Sequence, residues 1–160
     1  MEHRYIPMDR METREDGDDL YIEGYFAVFN SIYELWPGAT ESIAPGAFDD
    51  SVSDDVRALY NHNTDIVLGR TSAGTMEIKQ DSHGLWGRVR LNRNDTDAMN
   101  AYARIARGDI TGCSFAFDIA AQAAESREDG TGHWTNTTLS PPHENSLCTF
   151  PTYPLPPSSA

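Results

Sequence analysis

The sequence predicts a mainly antiparallel, barrel-like α+β domain with a few helices. About eight or nine short segments, rich in aromatic and β-branched residues, are each bounded by turn residues. These segments do not alternate regularly with helical patterns, which argues against a doubly wound parallel sheet. With 160 residues the chain is long enough to bury one core. We therefore expect one domain over residues 1–150 and a Pro-rich tail over 151–160, with no internal repeat.

The first strand-like segment covers residues 20–29, which follow an acidic turn and contain many aromatic and β-branched side chains. Residues 4–11 are its expected pairing partner. The pattern then breaks as far as Pro45, with a Pro-Gly turn signal at Pro37. We expect a loop there, followed by a short helix that begins near Pro45 and contains residues 47–52.

Two short strands are predicted at residues 56–60 and 66–70, on either side of a polar turn that contains His62. Residues 75–79 and 85–91 alternate apolar with polar side chains and are joined by a Gly-containing turn. That pattern predicts a β-hairpin.

One amphipathic helix is predicted between Asp95, which is a typical N-cap residue, and Gly108, which ends the helical pattern. Three further strands, at residues 113–120, 132–139 and 146–150, complete the domain. The tail contains too many prolines to continue a sheet.

The charge balance limits the classes of partner. The chain carries 25 acidic and 12 basic residues, for a formal net charge of -13. Such an excess repels phosphate-rich ligands, so we expect no nucleic-acid partner. No apolar run approaches the length of a membrane span, and the N-terminus lacks the apolar core of a signal peptide. We expect no membrane partner and a cytosolic protein.

The cysteines and histidines give no sign of a metal centre. Cys113 and Cys148 are too few for a disulfide framework, and no pair of Cys or His residues has the spacing of a zinc site. We expect neither a metal nor a cofactor.

Three residues are candidates for nucleophilic catalysis. Ser114 follows Gly112, which permits a close approach of the backbone to a ligand, and it is the candidate nucleophile. His62 is the candidate general base, because a neutral imidazole accepts a hydroxyl proton near neutral pH. Glu144 lies at the start of the last strand, where a carboxylate can fix the tautomer of the imidazole. Arg107 and the turn that follows it are candidates for shaping an oxyanion site.

These residues also have plainer interpretations. A serine in a strand is most often structural, and the segment around Ser114 lacks the second glycine of the Gly-x-Ser-x-Gly elbow. Cys113 is a rival nucleophile, since a thiolate is more reactive than a hydroxyl. Strand alternation opposes this rival, because Cys113 and Ser114 point to opposite faces and only one of them can meet His62.

Several short motifs follow one another in a specific order along the chain. They are GYFAVFNS at 24–31, ESIAPGAF at 41–48, LYNHN at 59–63, LGRT at 68–71, RGDI at 107–110, GCSFAF at 112–117 and ENSLCTFPTYP at 144–154. In this order the motifs resemble the prohead proteases of tailed bacteriophages, which process capsid proteins during head maturation. The resemblance covers nearly the whole chain.

The resemblance implies a serine endopeptidase whose fold is related to that of the herpesvirus assembly proteases, a small β-barrel surrounded by a few helices. Matched by motif, Ser114 is the nucleophile, His62 the base and Glu144 the acidic third member of an acyl-enzyme mechanism. His143 is the alternative third member, because the herpesvirus relatives pair one histidine with another.

The same resemblance implies the partners and the location. The substrates are the major capsid protein precursor and a scaffold segment, within the assembling prohead in the host cell cytoplasm. Self-cleavage and a homo-oligomer are both compatible with the family. The alternative function is a catalytically inactive assembly or scaffold-binding factor on the same fold.

Overall fold

A computed structural model describes residues 2–6, 11–49, 55–139 and 144–148; for residues 2–6, 33, 114–116 and 144–148 it describes the backbone alone. The described chain forms thirteen strands and one α-helix. The strands are β1 (Glu2–Ile6), β2 (Glu12–Asp16), β3 (Asp19–Val28), β4 (Tyr33–Trp36), β5 (Ala39–Ile43), β6 (Arg57–Tyr60), β7 (Asn63–Arg70), β8 (Met76–Gln80), β9 (Gly84–Arg90), β10 (Gly112–Phe117), β11 (Ile119–Ser126), β12 (Gly132–Leu139) and β13 (Glu144–Cys148). The helix is α1 (Thr96–Arg107), and a 3₁₀ turn spans Thr71–Ala73.

The strands form three sheets, with the orders β1-β10-β13-β6-β7, β11-β12-β5-β4 and β2-β3-β9-β8. Neighbouring strands are antiparallel, except that β12 is parallel to β5 and β13 is parallel to β6. The predicted antiparallel-rich α+β domain is therefore confirmed. Each sheet of the described residues has two outer strands, so the predicted barrel closure is not found there. One α-helix, rather than a few, packs on the described sheets.

Two clusters of buried side chains hold the sheets together. The first lies under α1 and includes Ile22, Phe26, Leu68, Val89, Ala98, Ala101, Ile105 and Cys113. The second contains residues from all three sheets and includes Phe29, Ile43, Phe48, Leu85, Phe117 and Leu139. Strand β10 contributes to both clusters, because Cys113 belongs to the first and Phe117 to the second. The strand that carries Ser114 is therefore fixed at both of its ends.

Helix α1 forms where the sequence predicts it. The Asp95 side chain accepts a hydrogen bond from the backbone N–H of Asp97 at 3.0 Å, which caps the first turn. Gly108 takes a left-handed conformation with φ of 89°, and its N–H returns to the last carbonyl groups of the helix. The buried face of the helix, at a spacing of three to four residues, carries Ala98, Ala101 and Ile105.

The hairpin of β8 and β9 and the strands β6, β7 and β12 also form as predicted. The pairing predicted for residues 20–29 is wrong, because β3 pairs with β2 and β9, whereas β1 pairs with β10. A tight turn at Gly17, whose φ is 61°, joins β2 directly to β3. Strand β2, which is closer to β3 in the sequence than β1 is, therefore forms the edge strand of that sheet.

The segment before Pro45 is not the predicted loop, because it contains β4 and β5 with a turn at Pro37 between them. Residues 45–49 form turns in place of the predicted start of a helix. Gly46 has a φ of 86°, which interrupts a right-handed helix. The remainder of that predicted helix and the tail over 151–160 lie outside the described residues.

Candidate active site

The strands that carry Ser114 and Glu144 and the strand that leads to His62 are neighbours in the five-stranded sheet, in the order β10, β13 and β6. Ser114 lies in β10 and pairs with Ser146 of β13. Ser146 in turn pairs with Leu59 of β6, three residues before His62. The serine strand and the histidine strand therefore lie on either side of β13.

Strand β10 separates the two candidate nucleophiles. Cys113 is fully buried, and its Sγ lies 3.5 Å from the carbonyl oxygen of Tyr25. A thiol in the core is inaccessible to a peptide carbonyl, which argues against Cys113 as the nucleophile. Consecutive strand positions alternate between faces, so position 114 belongs to the face opposite Cys113. The side chain of Ser114 itself lies outside the described residues.

His62 is the second central residue of the turn that joins β6 to β7. Tyr60 pairs with Asn63, so Asn61 and His62 form a two-residue loop. Their φ angles are 50° and 58°, and positive φ at both positions is the pattern of a type I′ turn, which prefers Asn followed by Gly. The left-handed conformation costs a residue with a Cβ more than it costs glycine, and residues in such conformations cluster at functional sites. The residue is half-buried at the end of the sheet.

Glu144 is the first residue of β13, and its register partner on β6 is Arg57. Arg57 precedes Tyr60 by three residues, which is about 10 Å along a strand. The register therefore does not bring Glu144 beside the His62 turn, because the two lie at opposite ends of the paired segments. The side chain of Glu144 and the whole of His143 lie outside the described residues.

The base of the hairpin that presents His62 is fixed by an exposed carboxylate. Asp55 accepts hydrogen bonds from Arg70 Nε, at 3.1 Å to Oδ1 and 2.9 Å to Oδ2, and one from the backbone N–H of Ser72 at 3.3 Å. The Arg70 guanidinium, followed by the Ser72 groups, holds the pKa of Asp55 far below its usual range. The backbone N–H of Val56 donates to Thr71 Oγ1 at 2.8 Å, which closes the same corner.

The turn between α1 and β10 is a predicted contributor to an oxyanion site, but its amides are already used. The N–H groups of Gly108, Asp109 and Ile110 all donate to the carbonyl oxygen of Arg104, the last two at 2.9 and 3.4 Å. The Arg107 guanidinium binds the Asp109 carboxylate through Nε at 2.8 Å and Nη2 at 2.5 Å. These groups close the helix, so the first three amides of the turn do not provide an oxyanion site.

A serine–histidine contact that the sequence does not reveal lies between β5 and β12. Ser42 Oγ is 3.0 Å from His133 Nε2, and Thr40 Oγ1 is 2.8 Å from His133 Nδ1. In a catalytic triad an orienting carboxylate or second histidine binds the imidazole nitrogen that does not face the serine. Here that nitrogen is Nδ1 of His133, and it contacts the Thr40 hydroxyl instead. Ser42 is also only 7% exposed. The contact therefore joins two parallel strands, and Ser42 serves as a control for Ser114.

Within the described part of the chain, no group of three or more His, Cys, Asp and Glu side chains is arranged to hold a metal ion. No helix of that part is long and apolar enough to cross a membrane.

A comparison with protein families identifies the class of protein to which the chain belongs. The model of the Caudovirus prohead serine protease matches residues 8–156, a range that contains all three predicted catalytic residues. The chain belongs to this family. As a member of the Caudovirus prohead serine protease family it is a serine peptidase of phage capsid maturation.

Membership of the prohead protease family confirms the resemblance given by the motifs. Comparisons with curated proteins and with solved structures found no significant match. The relation to the fold of the herpesvirus assembly proteases therefore stays a prediction.

Proposed function

We propose that this chain is the endopeptidase that cleaves the major capsid protein precursor and the scaffold segment inside the assembling prohead, with Ser114 as its nucleophile. The observation that carries the proposal is the family match over residues 8–156, which includes the serine strand, the histidine turn and β13. The strand order supports it, because β10 and β6 are separated by one strand only.

The proposed reaction is acyl transfer in two steps. Ser114 Oγ attacks the scissile carbonyl while His62 takes the hydroxyl proton, and His62 then gives that proton to the leaving amine. Water attacks the resulting ester with His62 again acting as base, and the acid product leaves while Ser114 regains its proton. Glu144 is the proposed orienting group for the imidazole.

Glu144 is assigned by its strand and not by a contact. It lies on β13, between the serine strand and the histidine strand, and its register partner Arg57 carries the opposite charge. Its position at the start of β13 lies opposite Arg57, three residues before the end of β6 that leads to His62. The separation between Glu144 and the His62 turn therefore makes the third member of the triad the part of the proposal that most needs its own test.

The nucleophile is tested by co-expressing variants with the capsid precursor and following precursor cleavage by mass spectrometry. We expect Ser114→Ala to lower the cleavage rate by about 10³-fold or more, because triad members act as a unit. Ser42→Ala removes the serine that contacts His133 and leaves the rate within a few-fold. Undiminished cleavage by the Ser114→Ala variant would refute the assignment.

The third member is tested by two isosteric changes in the same assay. We expect Glu144→Gln to reduce cleavage by about 10²-fold or more and His143→Gln to change it by a few-fold at most. The reverse pattern would transfer the orienting role to His143. Acylation of Ser114 by a serine-directed reagent separates an active enzyme from an inactive assembly factor.

A further inference from the structure

A cavity of about 460 Å³ opens at the end of the five-stranded sheet where His62 lies. Its lining among the described residues is Tyr60, Ala103, Arg104, Arg107, Asp109 and Ile110. Tyr60 ends β6 and is two residues before His62, and Ile110 is two residues before the first residue of β10. The cavity is therefore adjacent to the end of β6 that leads to the proposed base and to the segment that leads into the strand of the proposed nucleophile.

The cavity keeps one cation that no carboxylate neutralises within the described part of the chain. Arg107 is bound to Asp109. Arg104 instead donates from Nη1 to the hydroxyl of Tyr60 at 3.2 Å, and its guanidinium lies 5.8 Å from the centre of the Tyr60 ring. A guanidinium held in this way keeps other N–H groups for a ligand. The chain has a net charge of -13, whereas the described lining of this cavity carries a net positive charge.

The geometry of a guanidinium selects the ligand. Its N–H groups form a planar fork that matches a carboxylate with two parallel hydrogen bonds. The cation is a single group in an acidic molecule, whereas nucleic acid and phosphate-rich surfaces need several basic residues together. A carboxylate on a peptide matches the planar fork and needs only one cation to bind it.

We propose that this cavity is a specificity subsite that binds an acidic side chain of the substrate near the scissile bond. Arg104 pairs with the Asp or Glu carboxylate, and the Tyr60 hydroxyl holds the guanidinium in place. This inference rests on the proposed function only in taking the substrate to be a capsid precursor cleaved at Ser114.

Arg104 also has a purely structural alternative. It lies in the last turn of α1, where a cation stabilises the helix dipole. That role affects helix stability and leaves the choice between acidic and neutral peptides unchanged. Discrimination between such peptides is therefore the measurement that separates the two roles.

The experiment measures peptide binding to the Ser114→Ala variant, which keeps the substrate uncut. Overlapping labelled peptides that cover the capsid precursor are compared with copies in which every Asp and Glu is replaced by Asn and Gln, using fluorescence anisotropy. We expect at least one acidic peptide to bind about 10-fold more tightly than its neutral copy. Adding Arg104→Gln removes this difference, whereas the control Arg127→Gln, in the turn between β11 and β12 and outside the described lining of the cavity, retains it.

Equal binding of every acidic and neutral pair would overturn the subsite, as would a difference that survives Arg104→Gln. The comparison of peptides needs no change in the pocket, so it remains decisive if the Arg104→Gln variant does not fold. Failure of the proposed function gives another result, namely precursor cleavage that persists after Ser114→Ala.

Discussion

The turn at His62 places a histidine where the backbone conformation favours glycine. Asn61 and His62 both have positive φ, and the second position of this turn type favours glycine. Asparagine visits the left-handed region more readily than histidine, because its short polar side chain can hydrogen-bond to the local backbone. Glycine at position 62 would therefore adopt this conformation at a lower energetic cost than histidine does.

Replacing His62 by glycine separates the conformational cost of the turn from the proposed role of the imidazole as base. We expect His62→Gly to raise the free energy of unfolding by roughly 0.5–1 kcal/mol, because the left-handed strain is relieved, and to abolish precursor cleavage. Urea unfolding and the cleavage assay measure the two effects. The matched control Asn61→Gly gives a smaller gain in stability and keeps the cleavage. A His62→Gly variant that cleaves at the normal rate contradicts the assignment of the base.

At the scale of elements, the paired strands β3 and β9 each carry a glycine at the same register position. Gly24 and Gly87 are directly opposite in the register. A Cβ at Gly87 would collide with the buried ring of Phe26, whereas a Cβ at Gly24 would meet Met11 Sδ at 2.7 Å, near the far end of a flexible side chain. The two glycines therefore differ in what their replacement displaces.

This difference predicts unequal effects of one substitution. We expect Gly87→Ala to lower the free energy of unfolding by about 1–3 kcal/mol, because the Phe26 ring must move within a packed core. Gly24→Ala changes it by less than about 1 kcal/mol, since Met11 can take another rotamer. Thermal and urea unfolding of the two variants provide the comparison. Equal destabilisation by both would show that the loss of stability comes from strand pairing and not from displacement of the Phe26 ring.

The elements that the sequence predicts correctly are those with local signals. Helix α1 has its Asp95 cap and Gly108 stop, and the β8–β9 hairpin has alternation on both sides of a tight turn. In the described sheet β4 pairs with β5 across the turn at Pro37. Strand β5 escapes prediction because its other partner is β12, about ninety positions later in the chain. The Ser42–His133 contact has the same origin, since no local pattern announces it.

The candidate site follows the same division. Ser114 and His62 are suggested by their local motifs, whereas the position of Glu144 relative to the His62 turn depends on the register of β13 against β6. The strained turn and the Arg104 cavity depend on backbone angles and on packing, which residue types alone do not specify.

The whole molecule is strongly acidic, and acidification affects its stability in two opposing ways. Protonation of carboxylates relieves the repulsion among 25 acidic residues. It also removes the interaction of Asp55 with Arg70, whose guanidinium holds the pKa of Asp55 far below its usual range. A depressed pKa in the folded state stabilises the protein above the pKa of the unfolded state and loses its effect as the pH falls towards the folded value.

The Asp55 contribution is isolated by comparing the unmodified protein with Asp55→Asn across pH. We expect the variant to be less stable at pH 7, by a difference that stays constant down to about pH 4 and shrinks below it. Urea unfolding at pH 7, 5 and 3 measures this difference. Asp65→Asn removes the same charge from β7 without breaking the Arg70 contact and gives a smaller change at pH 7. A difference that grows on acidification contradicts the assignment.

Strand β13 contains some of the last described residues to be synthesised, yet it lies in the centre of its sheet, between β10 and β6. Strand β10 pairs with β1 and strand β6 pairs with β7. The strand that carries Ser114 and the strand that leads to His62 are joined to each other through β13. The five-stranded sheet is therefore complete only after residue 148 has been synthesised.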